Sequence, residues 1–237
     1  MDKGARLGAG SPRRQERAER ILDATAELLH RHGYKRVTID DVASAAGVGK
    51  GTIYLHWKTR EALFWAVLQR ESARLLEKIL TALADDPWLA LPGRLMRAIF
   101  VEVADRPLVR ALLLSDAEVL GALAADKTVA AAQAELGGNE NYLELVREQG
   151  LLRPGLTVAG AGVVLGGVMR GFFAGPGDGG GVPLSEQADL LADVLHRSLE
   201  IEGEPPPDAV VALAGRVTEL FTAIVAAQRG QLERAYR

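Results

Sequence analysis

The sequence predicts an all-α protein, and three observations carry that expectation. Apolar residues recur at three- and four-residue spacing from Gln15 almost to the C-terminal end. No segment alternates apolar and polar residues as a half-buried strand does. Glycine and proline, at Gly33, Gly47, Pro107, Gly137 with Gly138, and Gly150, divide the chain into helix-length pieces. With 237 residues, 48% of them hydrophobic, the chain can bury a full core as one large domain or two small ones. It has no cysteine, which excludes a disulfide framework and a thiolate metal site and fits a reducing cytoplasm. The first residues, MDKGARLGAGSPRRQER, lack the apolar core of a signal peptide. The longest apolar run, Val158 to Met169, has 12 residues, short of the roughly 17 to 25 that span a bilayer. A soluble cytoplasmic protein with no membrane contact is the expectation.

Taken in order, residues 1–14 are rich in glycine and arginine without periodicity and read as a basic arm. Arg6, Arg13 and Arg14 could reach phosphates, although a solvated tail is the plainer reading. From Gln15 to His32 a helix places Ile21, Leu22, Thr25, Leu28 and Leu29 on one stripe, and Gly33 stops it. His30 and His32, two apart, point in different directions and make no metal pair. Thr38 is placed to cap the next helix, and Asp41 three residues on nearly completes a capping box. Val42, Ala43 and Ala46 form its buried stripe, Gly47 supplies a residue of positive φ, and Val48 plugs the turn. Gly49 opens a short helix, Lys50 to Trp57, in which Ile53 and Trp57 face inward. Lys50, Gly51, Thr52, Tyr54 and His56 are then on or near the outer surface.

Two helices joined by a tight glycine turn suit a helix-turn-helix, whose second helix enters the major groove of DNA. The stretch VTIDDVASAAGVGKGTIYLHWKTREAL resembles the DNA-binding segment of the TetR family of one-ligand transcriptional regulators, over roughly Gln15 to Ala66. The resemblance implies a domain over residues 15–75, with the helix-turn-helix at about 38–57, and a helical effector-binding and dimerisation domain over residues 76–237. It implies double-stranded DNA as partner, with Thr38, Lys50, Gly51, Thr52, Tyr54, His56, Lys58 and Arg60 as the DNA-binding set. Lys58, Arg60 and the Tyr54 hydroxyl are expected on phosphates, and Lys50, Thr52 and His56 on bases or nearby backbone. Gly51 lets the helix surface approach closely. Two residues depart from the family pattern: Gly49 where a capping serine or threonine is common, and Arg60 where lysine is usual.

Charge agrees with this division. Residues 1–60 hold 12 Lys+Arg against 7 Asp+Glu, while the remainder hold 16 against 24. A basic end beside an acidic remainder suits local nucleic-acid contact.

Thr59 caps a long fourth helix, with Phe64, Leu68, Leu75, Ile79 and Leu83 in one stripe; at ~1.5 Å per residue it spans about 36 Å. After DDPW and LPG, Leu95, Ile99 and Val103 mark a helix that Pro107 interrupts, followed by Leu108 to Leu114, Asp116 to Leu136, and a helix with Tyr142, Leu145 and Val146. Thr157 to Ala174 is apolar but holds Gly160, Gly162, Gly166, Gly167 and Gly171. Each costs up to about 1 kcal/mol in a helix interior, so close packing should compensate. Gly175 to Pro183 reads as a surface loop, and Ser185 as the cap of a helix with Leu191, Val194, Leu195 and Leu199. Val210, Leu213, Val217, Leu220 and Ile224 step by 3, 4, 3 and 4 as a narrow seam, which suits packing within the chain or across a dimer equally.

By order, the glycine-rich helix and the Ser185 helix correspond to the family's dimerisation helices, which assigns Gly162, Gly166, Gly167, Gly171, Leu191 and Leu195 to a homodimer interface. A small-molecule effector is expected in an apolar cavity with a few polar anchors. The candidates are Met96, Phe100, Tyr142, Met169, Phe172 and Phe173, with Arg97, Arg110, Gln133 or Arg170 as anchors. No cofactor or metal is implied. A ligand-responsive dimeric regulator, more readily a repressor, is the reading that uses most of the chain. An architectural DNA-binding protein leaves the apolar helical domain without a purpose. An enzyme finds no nucleophile elbow, phosphate loop or metal-ligand cluster.

Overall fold

The computed structural model describes residues 12–114, 139–175 and 181–236, and within these the chain is helical. In order the helices are α1 (Pro12–Arg36), α2 (Ile39–Ala46), α3 (Lys50–His56), α4 (Arg60–Asp85), a 3₁₀ turn (Pro87–Ala90), α5 (Pro92–Ala104), α6 (Pro107–Leu114), α7 (Asn139–Glu148), α8 (Val158–Ala174), α9 (Leu184–Leu199) and α10 (Pro207–Tyr236). The described residues contain no strand, only one antiparallel bridge between Leu152 and Glu200. The helix expected over Asp116 to Leu136, with Gln133, and the arm before Pro12 lie outside the described residues.

Two compact units result, one of residues 1–70 with 227–237 and one of residues 71–226. In the first, α1 buries Ala18, Ile21, Leu22, Thr25 and Leu29. It starts three residues before the expected Gln15. Gly33, at φ 71° and ψ 169°, breaks its helical geometry where the stop was expected. Arg70 of α4 is buried and binds the carboxylates of Glu19 at 3.1 Å and Asp23 at 2.8 Å on α1. Removing both carboxylates would leave a buried guanidinium without a counter-charge, which is strongly destabilising.

In the second unit α5 packs against α9, and α8 against α7 and α9. Leu95, Val103, Leu191, Leu195 and Leu199 are buried at this junction. Pro183 rather than Ser185 occupies the N-cap of α9, so Ser185 falls in the first turn. Helix α10 is the one described helix long and apolar enough to cross a membrane, with a mean hydropathy of 1.7 in its most apolar window. One face of it is buried in the chain, with Val210, Leu213 and Val217 fully so, while 33% of that window is buried in all, and Arg216 pairs with Glu148 at 3.8 Å. The seam holds only that far. Beyond Val217 the burial moves to Phe221 and Val225, leaving Leu220 and Ile224 half-buried, because a straight helix of 3.6 residues per turn drifts away from a 3.5-residue repeat.

Candidate nucleic-acid interface

The turn between α2 and α3 is built from local chemistry. Thr38, extended at φ −107°, accepts the Asp41 amide on Oγ1 at 3.2 Å, while the Thr38 amide donates to Asp41 Oδ2 at 2.9 Å. The capping box is therefore complete. The Thr38 hydroxyl also donates to Asp41 Oδ2 at 2.7 Å, and these bonds hold the Asp41 carboxyl below its usual range. Gly47 is left-handed at φ 63°, and the Val48 amide reaches the Ala43 carbonyl at 3.0 Å to close the helix. Gly49 caps α3 with no side-chain bond.

Helix α3 has two faces. Ile53 is fully buried, and Trp57 just beyond is 3% exposed. On the opposite side Lys50, Gly51, Tyr54 and Leu55 are exposed, with Thr52 half-buried at the edge. Lys50 Nζ lies 2.9 Å from Asp40 Oδ2, which raises the lysine's pKa. Lys58 is exposed just past the helix. Arg14 Nη2 donates to the Leu55 carbonyl at 3.5 Å, placing α1 beside this surface.

Three of the residues expected on this surface are used otherwise. His56 is 8% exposed, tilted against the Trp57 ring at 5.3 Å, so it belongs to the support beneath α3. Its position falls on the same side of the helix as Ile53, which places its ring inward. Arg60 also turns inward. Its Nε donates to the Val37 carbonyl at 3.0 Å and its Nη2 to the Tyr34 carbonyl, with the guanidinium 4.5 Å from the Tyr34 ring centroid and 4.8 Å from that of Phe64. Those two rings meet edge to face at 5.2 Å. A guanidinium both stacks and donates in its plane, so arginine clamps the α1–α2 connection in a way lysine cannot. Thr38 is exposed, but both of its polar groups serve the cap. Changing Arg60 to alanine is expected to destabilise the first unit by about 2 kcal/mol in chemical denaturation, from two charge-assisted bonds and a stacked cation.

The second unit holds a cavity of about 460 Å³, walled by Phe100, Phe172 and Phe173 with Asp105, Arg110 and Gln187 at its edge. Phe100 stands edge-on to Phe172 at 6.0 Å and tilted to Phe173 at 5.2 Å. Arg110 donates to the carbonyls of Phe173 and, at 3.3 Å, Gly175. Phe100 and Phe173 thus come together as expected, whereas Met96, Tyr142 and Met169 do not line this cavity. Met96 is core, and the buried Tyr142 hydroxyl donates to Ala90 O at 2.8 Å, with burial holding its pKa well above the ordinary value. Arg97 is tied to Asp189 at 2.6 Å, and Arg170 is exposed.

Of the α8 glycines, Gly160 lies against its own cap, where a Cβ would stand 3.2 Å from Thr157 Oγ1 and 3.3 Å from Leu156 Cδ1, whereas the other four meet almost nothing among the described residues. A Cβ at Gly162, Gly167 or Gly171 would find nothing within 4 Å, and one at Gly166 only Arg170 Nη2 at 3.8 Å. Packing among the described residues therefore does not compensate for these four. Leu191 and Leu195, expected at an interface between copies, are fully buried in their own chain; the outward residues of α9 are Leu190 and Val194, one position earlier.

A rigid capped turn presenting the exposed face of a short helix defines the first unit as a helix-turn-helix domain. Residues 21–67 match the family model of bacterial regulatory proteins, tetR family. Over these residues the first unit is a TetR-type helix-turn-helix domain. An HTH-type transcriptional regulator of Mycobacterium tuberculosis is 38% identical over 76 residues, 32% of this chain and 38% of the relative. The repressor KstR of the same species is 38% identical over 66 residues, 28% of this chain and 30% of KstR. The match thus spans about a third of these relatives' lengths. The regulator FadR from Bacillus subtilis, solved in complex with stearoyl-CoA, shares the fold at a TM-score of 0.56 and 20% identity over 75% of this chain and 96% of its own.

Proposed function

We propose that the protein is a cytoplasmic, ligand-responsive repressor that binds a near-palindromic operator as a homodimer and is released by an apolar small molecule. The observation that carries the reading is the α3 face: Lys50, Gly51 and Tyr54 stand outward on a helix whose other side is fixed in the core, with Lys58 beside it. Lys58 and the Tyr54 hydroxyl hold phosphates, while Lys50 and Thr52 meet bases. A dimer would set two such helices about 34 to 36 Å apart in successive major grooves. The Phe100, Phe172 and Phe173 cavity is the effector site, with Arg110 as its anchor, and its size falls within the usual few hundred Å³ of ligand pockets. FadR's complex with stearoyl-CoA supports an apolar ligand of the acyl kind here. An effector with higher affinity for a conformation of the wrong spacing releases DNA by that difference alone.

Changing Lys58 to alanine is the direct test. Affinity for all DNA should fall, and the slope of log affinity against log salt should shallow by about 0.9 for each Lys58 lost, about 1.8 for a dimer. An unchanged slope would remove Lys58 from the phosphate contacts. Arg60→Ala, by contrast, should leave the slope where it is.

A further inference from the structure

From the exposed face of α3 we infer that Leu55 reads the C5-methyl group of a thymine in the major groove, and so sets base preference at one position of each half-site. The inference rests on the DNA-binding reading above. Leu55 is 66% exposed, the most exposed large apolar residue among the described residues of the first unit, and Tyr54 beside it is 39% exposed. Nothing in the fold needs a leucine there: its carbonyl is used, by Arg14, and its side chain points away from the core that Ile53 and Trp57 fill.

Helical spacing then says where it points. Residues 51 and 55 are one turn apart, as are 50 and 54, and these four make the outward face. Gly51 has no neighbour within 4 Å of where its Cβ would be, so the fold does not require glycine either. A bare turn at Gly51 next to an apolar side chain at Leu55 leaves room for a base pair to come close to the leucine. Cations flank this strip, with Lys50 and Lys58 exposed and the Arg14 guanidinium at the Leu55 carbonyl, which matches the phosphates bordering a major groove.

A leucine side chain offers no hydrogen bond. Pressed on guanine N7 and O6, adenine N7 and N6, or cytosine N4, it strips water from a polar edge and returns nothing. The thymine methyl is the one apolar group that an unmodified base presents in this groove. Contact there buries apolar surface on both sides, so a sequence with thymine at that position binds tighter than its three competitors.

The experiment uses the full chain and its Leu55→Ala variant. Each is first used to select duplexes from random DNA; every thymine of the wild-type-selected duplex is then replaced singly by deoxyuridine, which deletes only the methyl. Because Leu55 is exposed, the variant should keep the wild-type thermal melt. One thymine in each half-site should be sensitive: its replacement should weaken wild-type binding about three- to five-fold, from the burial of one methyl, and leave Leu55→Ala unaffected. The variant's selected sequences should lose preference at that same position and no other. Equal sensitivity of both proteins at every thymine, or identical selected sequences, would overturn the role of Leu55 while leaving DNA binding intact. Failure of the wild-type chain to enrich any sequence would instead remove the DNA-reading function, and this inference with it.

Discussion

Replacing Gly93 with alanine is expected to lower the unfolding midpoint of the second unit by about 6 to 12 °C, corresponding to roughly 3 kcal/mol in a chain of this size. Gly93 is the second residue of α5, whose N-cap position is held by Leu91, a residue with no side-chain acceptor. The free amide at Gly93 is taken instead by Glu200, whose Oε1 accepts it at 2.7 Å from the end of α9, 107 residues away in sequence. Glu200 is 5% exposed, and its other oxygen meets His196 Nδ1 at 2.8 Å. A carboxylate at a helix N-terminus gains from the helix dipole as well as from the bond. An added Cβ on residue 93 would stand 2.7 Å from the Ala192 carbonyl oxygen and 3.3 Å from Glu200 Oε1. The first of these is backbone, so α5 and α9 must separate, and the bond to Glu200 lengthens as they do. Glu200→Ala should cost a similar amount by leaving the amide unsatisfied, and Glu200→Gln about half, since a neutral acceptor remains. Differential scanning calorimetry on the three variants checks the order. A Gly93→Ala midpoint within 2 °C of wild type would show that the two helices separate at little cost.

Much of this architecture was legible because its code is local. The capping box at Thr38 and Asp41, the left-handed Gly47 and the Thr59 cap each act within four residues, and the Ala62 amide does bond Thr59 Oγ1 at 3.0 Å. Long apolar stripes, as in α1 and α4, reveal their buried face because many turns agree on it. What was not legible depends on contacts distant in sequence or on phase. Helix α3 has only seven residues, so two turns leave the angle of its face loosely defined, which hides from the sequence that His56 turns inward and Leu55 outward. Arg60 looks like one more basic residue after the helix; only the fold brings Tyr34, Val37 and Phe64 around it. On α9, Leu190, Leu191, Val194 and Leu195 form two adjacent stripes, and sequence alone does not say which one α5 covers. The Glu200 cap spans 107 residues and carries no local signal.

That register on α9 leads to the largest functional effect. Substituting Val163 with aspartate is expected to convert the proposed dimer to a monomer and to weaken operator binding at least a hundredfold, since one half-site lacks the contacts of two. Val163 is 76% exposed on α8, and Leu190 and Val194 on α9 are 50% and 38% exposed. Between the two helices lies an apolar groove of about 470 Å³ lined by Gly167, Gly171, Leu190 and Val194. The four glycines at 162, 166, 167 and 171 weaken α8 by roughly 0.5 to 1 kcal/mol each, and among the described residues no contact uses the room they make. In the proposed dimer a second copy of the same face would use it, because a glycine surface lets two helices approach until backbones touch. Two opposite effects of one substitution follow. Gly166→Ala should raise the helix stability of dilute monomer by a few tenths to about 1 kcal/mol, while raising the dimer dissociation constant, because the added methyl meets the partner. Sedimentation equilibrium reads the association and a DNA titration reads the operator. Val211→Asp, on an exposed turn of α10 at 59%, is the control that should change neither. If Val163→Asp remains a dimer with wild-type operator affinity, this face does not join the subunits, and the glycines of α8 need another explanation.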